Sequence, residues 1–258
     1  MSPSPSKPLV LITGAGRKRS IAASIATGLA QDGWDLVLNH WQPYDERLDL
    51  DRGADDPGSI ADECRAVGAD VTVAPGDLSD PAVPGQLLAT AAGRRVEGLV
   101  LSHCESVDSS ILTTDVASWD RHFAVNARAS WLLIKAFAEQ LPESAPTGTV
   151  NGRIVALTSD HTAENLPYGA SKGALDRLVI AAAIELAGRG VRSNLINPGP
   201  IDTGWMDAGL REEMSRATPA GRLGQPQDTA DLVRFLFSDA GSWINGQLLH
   251  SNGGLQTS

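Results

Sequence analysis

The sequence predicts an α/β fold, a doubly wound seven-stranded parallel sheet with helices on both faces. Three observations carry that prediction. Short apolar runs alternate with segments of helical periodicity along the whole chain. The first apolar run closes on a glycine turn. No stretch resembling an internal linker divides the 258 residues.

The elements follow in order. Pro8-Leu-Val-Leu-Ile-Thr13 is a buried parallel strand in composition. Ser20 then precedes Ile21, Ile25 and Leu29, one helical stripe with a serine placed to cap it. Asp35–Asn39 is a second strand. The polar stretch from Trp41 to Gly58 carries two prolines and many acids, and reads as a surface loop. A helix over Ser59–Val67, a strand over Asp70–Ala74, a helix over 80–92 and a strand over Gly98–Ser102 come next. One long helical region covers 116–140. Strand Arg153–Thr158, helix 168–188, strand Arg192–Asn197, a helix near 226–238 and strand Gln247–His250 complete the sheet. Residues 1–7, rich in Ser and Pro, read as a disordered tail, and 8–258 as a single domain.

A chain of this length buries roughly 70% of its extended surface, enough for a core without staples. Two cysteines, Cys64 and Cys104, exclude a disulfide framework. The net charge of −10 disfavours nucleic acid and anionic lipid as partners. No apolar run approaches the ~20 residues of a spanning helix, and the start lacks a signal peptide's apolar stretch. A cytoplasmic protein is expected. The five histidines show no ligand spacing, so no metal is expected.

Sheets of this kind bind ligands beyond the carboxyl ends of their strands, at the point where the strand order reverses. Functional residues should therefore follow strands one, four, five and six. After strand one comes Thr13-Gly-Ala-Gly-Arg-Lys-Arg-Ser20. Gly14 and Gly16 allow backbone N–H groups to approach a phosphate at a helix N-terminus, although a tight turn alone would also use them. Arg17, Lys18 and Arg19 add three consecutive cations. Strand two ends in Asn39-His40-Trp41, without the carboxylate that would bind NAD's ribose hydroxyls. The expected cofactor is therefore NADPH, with Arg17 and Arg19 near its 2′-phosphate; His40 reads equally as a surface histidine.

Tyr168 and Lys172 lie four apart on one helical face. An ammonium there favours phenolate and should pull the tyrosine pKa from about 10 toward the working pH. Such a phenol passes a proton to a carbonyl oxygen as hydride reaches the carbon. Ser159 closes strand five within reach of the same oxygen, and Asn126 sits inside a long helix where an amide needs a reason.

These features, in this order, resemble the short-chain dehydrogenase/reductase family over residues 8–255. The matching segments are Thr13-Gly-Ala-Gly16, Asp77 with Leu78, Asn126, Ser159, Tyr168 with Lys172, and Asn197-Pro-Gly-Pro-Ile-Asp-Thr203; Asn245–Gly254 is similar to the family's closing strand and turn. The resemblance implies a Rossmann fold and a catalytic tetrad. Tyr168 would be acid/base, Ser159 the carbonyl-positioning hydroxyl, Lys172 the ribose anchor, and Asn126 the holder of a water leading to Lys172. It further implies cofactor contacts from Gly14, Gly16, Arg17, Arg19, Ser20, Ile21, Asn39, Asp77, Leu78, Ser102, Tyr168, Lys172, Pro198, Gly199, Ile201 and Thr203, with Asp77 at the adenine and Ile201 at the nicotinamide amide.

The sequence departs from the family in three places. The loop before the first helix, Arg19-Ser20-Ile21-Ala22, is similar to that of the family's enoyl-ACP reductases. Strand four ends Leu101-Ser102-His103-Cys104 where the family commonly has Asn-Asn-Ala-Gly. Only nine residues separate Ser159 from Tyr168, against about a dozen, which should open the substrate mouth. Enoyl reductases of this kind would need lysine at 175, where leucine stands, so carbonyl chemistry is expected. The stripe Met206, Leu210, Met214, with Trp205 beside it, suits either core packing or a mobile helix over an apolar substrate. Arg121, Arg128 and Arg177 are candidates for a basic patch facing an acidic acyl-carrier protein. The expectation is an NADPH-dependent ketoreductase of the 3-oxoacyl-ACP reductase type. Its substrate is a small-molecule or acyl-thioester carbonyl, and it assembles as a homotetramer or homodimer through the 116–140 and 168–188 helices. NAD-dependent alcohol oxidation and a non-catalytic dinucleotide sensor are the alternatives.

Overall fold

The computed structural model describes residues 7–50 and 55–255. Seven strands form one sheet: β1 (Leu9–Ile12), β2 (Asp35–His40), β3 (Val71–Pro75), β4 (Val96–Leu101), β5 (Gly152–Leu157), β6 (Val191–Asn197) and β7 (Leu248–His250). Their order is β3-β2-β1-β4-β5-β6-β7, and every neighbouring pair is parallel. The order reverses between β1 and β4, which places the ligand crevice beyond Ile12 and Leu101.

Side chains alternate across the sheet with period two. Val10, Ile12, Leu36, Leu38, Val100, Val155 and Ile196 pack on one face. Leu9, Leu11, Val37, Leu99, Leu101, Ile154, Ala156 and Leu195 pack on the other. Helices α1 (Ile21–Gln31), α3 (Asp56–Ala66) and α9 (Pro226–Phe237) cover the first face. The second carries α4 (Val83–Ala89), α5 (Val116–His122), α6 (Ala129–Glu139) and α7 (Leu166–Glu185). No helix among the described residues is long and apolar enough to cross a membrane.

The structure corrects several expected boundaries. Between Trp41 and Gly58, the expected surface loop contains the short helix α2 (Gln42–Arg47), and α3 already begins at Asp56, with the Asp55 side chain capping Gly58 N–H. The expected tail falls on residues 1–6, outside the described residues, but Lys7 is placed: its ammonium donates to Gly68 O at 2.6 Å. The 116–140 region is not one regular helix. A π-helical turn (Phe123–Arg128) joins α5 to α6 without leaving helical backbone. Helix α8 (Ala208–Ala217) buries no residue, so the Met206, Leu210, Met214 stripe is not core packing.

Candidate active site

The ends of β1 and β4 are locked by side chains. Thr13 N–H donates to Val100 O, and its hydroxyl accepts from Ser102 N–H at 3.1 Å. His103 completes the lock. Its Nδ1 lies 2.7 Å from the Thr13 hydroxyl and its Nε2 3.0 Å from Val125 O. A carbonyl only accepts, so Nε2 carries the proton and Nδ1 accepts from Thr13. Burial, followed by the charge of Lys172, pushes the imidazole pKa down to about 3, against the hydrogen bond to Val125. His103 is therefore a neutral structural joint.

A cleft with a volume of about 200 Å³ opens above this joint. Of the expected cofactor residues, Gly14, Gly16, Arg17, Ser20, Ile21, Asn39, Asp77, Leu78, Ser102, Tyr168, Lys172, Pro198 and Thr203 line it. Arg19, Gly199 and Ile201 do not. Arg19 pairs with Asp202 at 3.0 Å. Gly199 turns against Asn252 at φ +64°, and Ile201 is buried in a bridge to Gly224. The Asn39 amide is spent on Ala74 O and Gly76 O, joining β2 to β3.

The cationic run is not a free anion patch. Arg17 pairs with Asp45 at 3.1 Å, Lys18 with Glu63 at 2.7 Å and Arg19 with Asp202. Sequence adjacency shows these charges, but not the acids that other elements bring to them. Arg121 is likewise no part of a surface patch. It lines the cleft, paired with Asp77 at 3.3 Å and Glu105 at 3.0 Å.

Tyr168 and Lys172 stand together in the cleft wall, the ammonium 5.6 Å from the ring centroid. Lys172 is 3% exposed and donates to Leu157 O at 2.8 Å. Burial is the first cause of a tyrosine pKa well above its ordinary 10, opposed by a hydrogen bond to Ser159. This corrects the expected acidification by Lys172. Desolvation of the phenolate leads, with the neighbouring Cys104 acting in the same direction, and burial lowers the pKa of the Lys172 ammonium itself. The phenol rests in its protonated form.

Asn126 is buried beneath the cleft, and Ser159 stands within hydrogen-bond reach of Tyr168. The Asn126 Oδ1 accepts from Glu105 N–H at 2.7 Å, and its Nδ2 donates to Glu105 O and to the Ser171 hydroxyl at 2.9 and 2.8 Å. The amide thus clamps the segment after β4, where a water-holding role was expected. The short loop after Ser159 folds back on α7. His161 N–H donates to the Ser159 hydroxyl, and a Cβ at Gly169 would lie 2.0 Å from His161 O. The exposed His161 ring meets Tyr168 edge-on, centroids 6.5 Å apart.

Three contributors escaped the sequence reading. Glu105, 3% exposed, pairs with Arg47 and Arg121 and so links α2 to α5 across the cleft. Tyr44 tilts against Trp205, centroids 6.1 Å apart, with its buried hydroxyl beside the Cys104 thiol. Asp45 is buried beside the glycine loop. Glu105 directly follows Cys104 in a segment already marked as unusual, which was a usable signal; Tyr44 and Asp45 sat in a presumed loop and gave none. Among the described residues no cluster of three or more His, Cys, Asp or Glu is arranged to hold a metal.

The group such a cleft implies is a dinucleotide, and the residues fit one. Gly14, at φ +81°, brings the loop so close that a Cβ would lie 2.9 Å from Ser102 O, leaving backbone to face the cleft. Helix α1 starts there with Ser20 accepting from Ala23 N–H at 3.1 Å and no acid in its first turn.

A parallel sheet with this crevice at its reversal point and a Tyr–Lys pair in the wall defines a nucleotide-dependent oxidoreductase. The comparisons agree. Residues 14–256 match the family described as Enoyl-(Acyl carrier protein) reductase. The chain is 32% identical over 252 residues to the Bacillus subtilis uncharacterized oxidoreductase YjdA, covering 95% of this chain and 96% of that one. It is 30% identical over 261 residues to the Arabidopsis thaliana NADPH-dependent aldehyde reductase-like protein, chloroplastic, covering 95% and 93%. Among solved structures, a blue fluorescent protein from a metagenomic library in complex with NADPH superposes with a TM-score of 0.83 at 25% identity, covering 97% and 98%. Acetoin dehydrogenase YohF from Salmonella typhimurium superposes with a TM-score of 0.79 at 25% identity, covering 96% and 97%. The chain belongs to the short-chain dehydrogenase/reductase family and is an NAD(P)-dependent reductase.

Proposed function

We propose that this enzyme uses NADPH to reduce a ketone, with a 3-oxoacyl thioester as the specific candidate, to the secondary alcohol. The observation that carries the reading is the half-buried Tyr168 beside the buried Lys172 in the wall of the dinucleotide cleft. A relative named as an NADPH-dependent aldehyde reductase and a neighbour solved with NADPH support the cofactor. The nicotinamide, when bound, supplies hydride to the carbonyl carbon. Tyr168 gives its phenolic proton to the carbonyl oxygen, and Ser159 steadies that oxygen by hydrogen bonding. Lys172, held by Leu157 O, meets the developing phenolate with its positive charge, and the phenolate takes a proton back from solvent to close the cycle. Asn126 and His103 keep the β4 and β1 ends in register beneath them.

Trp205, exposed on the approach to α8, and the open Leu210 suit an apolar tail on the substrate. The Tyr44–Trp205 pair gives that tail an aromatic wall. A homotetramer or homodimer would cover the exposed Trp119, Trp131 and Ile184 on α5, α6 and α7. The test is a substrate panel of 3-oxoacyl thioesters, simple ketones and aldehydes, followed by NADPH absorbance. Turnover of 3-oxoacyl thioesters above simple carbonyls supports the reading. NADPH binding without turnover of any carbonyl would leave a dinucleotide sensor.

A further inference from the structure

Helix α2 reaches over the dinucleotide cleft at three points. Asp45 pairs with Arg17, Tyr44 tilts against Trp205, and Arg47 pairs with Glu105. The first of these joins two side chains that are less than a tenth exposed. Arg17 also donates from Nη1 to Thr203 O at 2.8 Å, so its guanidinium spans the cleft between the glycine loop and the segment after β6. The Asp45 carboxylate lies over the glycine loop itself, its Oδ2 2.8 Å from where a Cβ on Gly16 would stand. A carboxylate and a phosphate oxygen ask for the same N–H donors of an arginine.

We infer that Asp45 competes with a cofactor phosphate for Arg17, and that this exchange sets both the affinity and the phosphate selectivity of the cleft. The inference rests on the dinucleotide reading given above. A guanidinium buried between Asp45 and Thr203 O accepts a phosphate only as the carboxylate withdraws, because two anions cannot share that dry position without mutual repulsion. The dinucleotide must therefore outbid an internal anion. A 2′-phosphate and the diphosphate both have the chemistry to do so, and they differ in which cofactors carry them.

The experiment is equilibrium titration of the Asp45→Asn protein with NADPH and with NADH, read by quenching of tryptophan fluorescence and without any carbonyl substrate. Asparagine keeps the shape and removes the charge. The expected result is about tenfold tighter binding, the size of a typical coupling between competing ligands. Tightening for NADPH alone identifies the 2′-phosphate as the competitor, and tightening for both identifies the diphosphate. Unchanged or weaker binding overturns the inference, since Asp45 would then be orienting Arg17 or be irrelevant to it. Should the wild-type protein bind neither dinucleotide, and the variant neither, the dinucleotide reading falls with it; wild-type binding with an indifferent variant overturns the competition alone. If asparagine at 45 prevents folding, hydrogen exchange of the wild-type chain decides. NADPH should speed exchange at residues 44–48 as the Asp45–Arg17 pair opens, and slower or unaltered exchange there overturns the inference.

Discussion

The Lys172 ammonium lies over the Tyr168 ring, 5.6 Å from its centroid, and points its hydrogen bond at Leu157 O. The pair is one helical turn apart, but the lysine is anchored to β5. Replacing Tyr168 by Phe removes the donated proton and little else. Carbonyl reduction should fall by about 10²–10⁴-fold, while NADPH affinity measured by fluorescence stays within about twofold. Near-normal turnover would exclude the acid role.

Burial raises the Tyr168 pKa above its ordinary value, so its protonated form persists through and beyond neutral pH. The rate of ketone reduction should therefore show no alkaline limb from this residue below about pH 10. A limb near pH 7–8 that vanishes in Tyr168→Phe would show that bound cofactor has reversed the balance between burial and the ammonium.

His103 makes stability depend on acid. Its folded pKa is held at about 3 by burial, against an ordinary 6.5 in the unfolded chain. Between those values the unfolded chain takes up a proton that the folded protein refuses. Stability is thus unaffected above pH 6.5 and falls by about 1.4 kcal/mol per unit as pH drops below it. Urea unfolding of His103→Asn between pH 7 and 4.5 should show a shallower decline than the parent.

Asn126 satisfies both backbone groups of Glu105 from within the helix. Alanine there strands a buried N–H and a carbonyl, and should cost about 1–3 kcal/mol in urea unfolding. Aspartate should be at least as harmful, because a carboxylate has nothing to donate to Glu105 O or Ser171.

Gly169 admits the backbone of His161, which would stand 2.0 Å from an added Cβ. Alanine at 169 forces the 160–165 segment outward and with it Ser159, whose hydroxyl accepts from His161 N–H. Turnover should drop by about tenfold or more through Ser159, with NADPH binding nearly unchanged.

The sheet was legible because buried parallel strands and amphipathic helices differ in period, and that signal is local. Ser20 as the cap of α1 and the Tyr168–Lys172 spacing were readable for the same reason. Helix α2 was not, since Gln42–Arg47 has one aromatic and no apolar stripe; its tertiary contacts to Arg17, Trp205 and Glu105 hold it in place. Charges misled in a related way. Arg17, Arg19 and Arg121 are visible in the sequence as cations, but their partners Asp45, Asp202 and Glu105 come from other elements. Asn126 was noticed as an amide needing a reason, and the reason lies 21 residues upstream at Glu105.

The π-helical turn at Phe123–Arg128 gives this helix one residue more than regular winding would need. Shortening the chain by a single residue here would restore ordinary winding, so the rod itself should survive. The phase of the helix beyond it should survive as well, because the wider turn absorbs its extra residue, whereas Asn126, inside the turn, would lose its aim at Glu105. An alignment gap at this point among related chains would thus mark enzymes that have given up the clamp while keeping an intact helix.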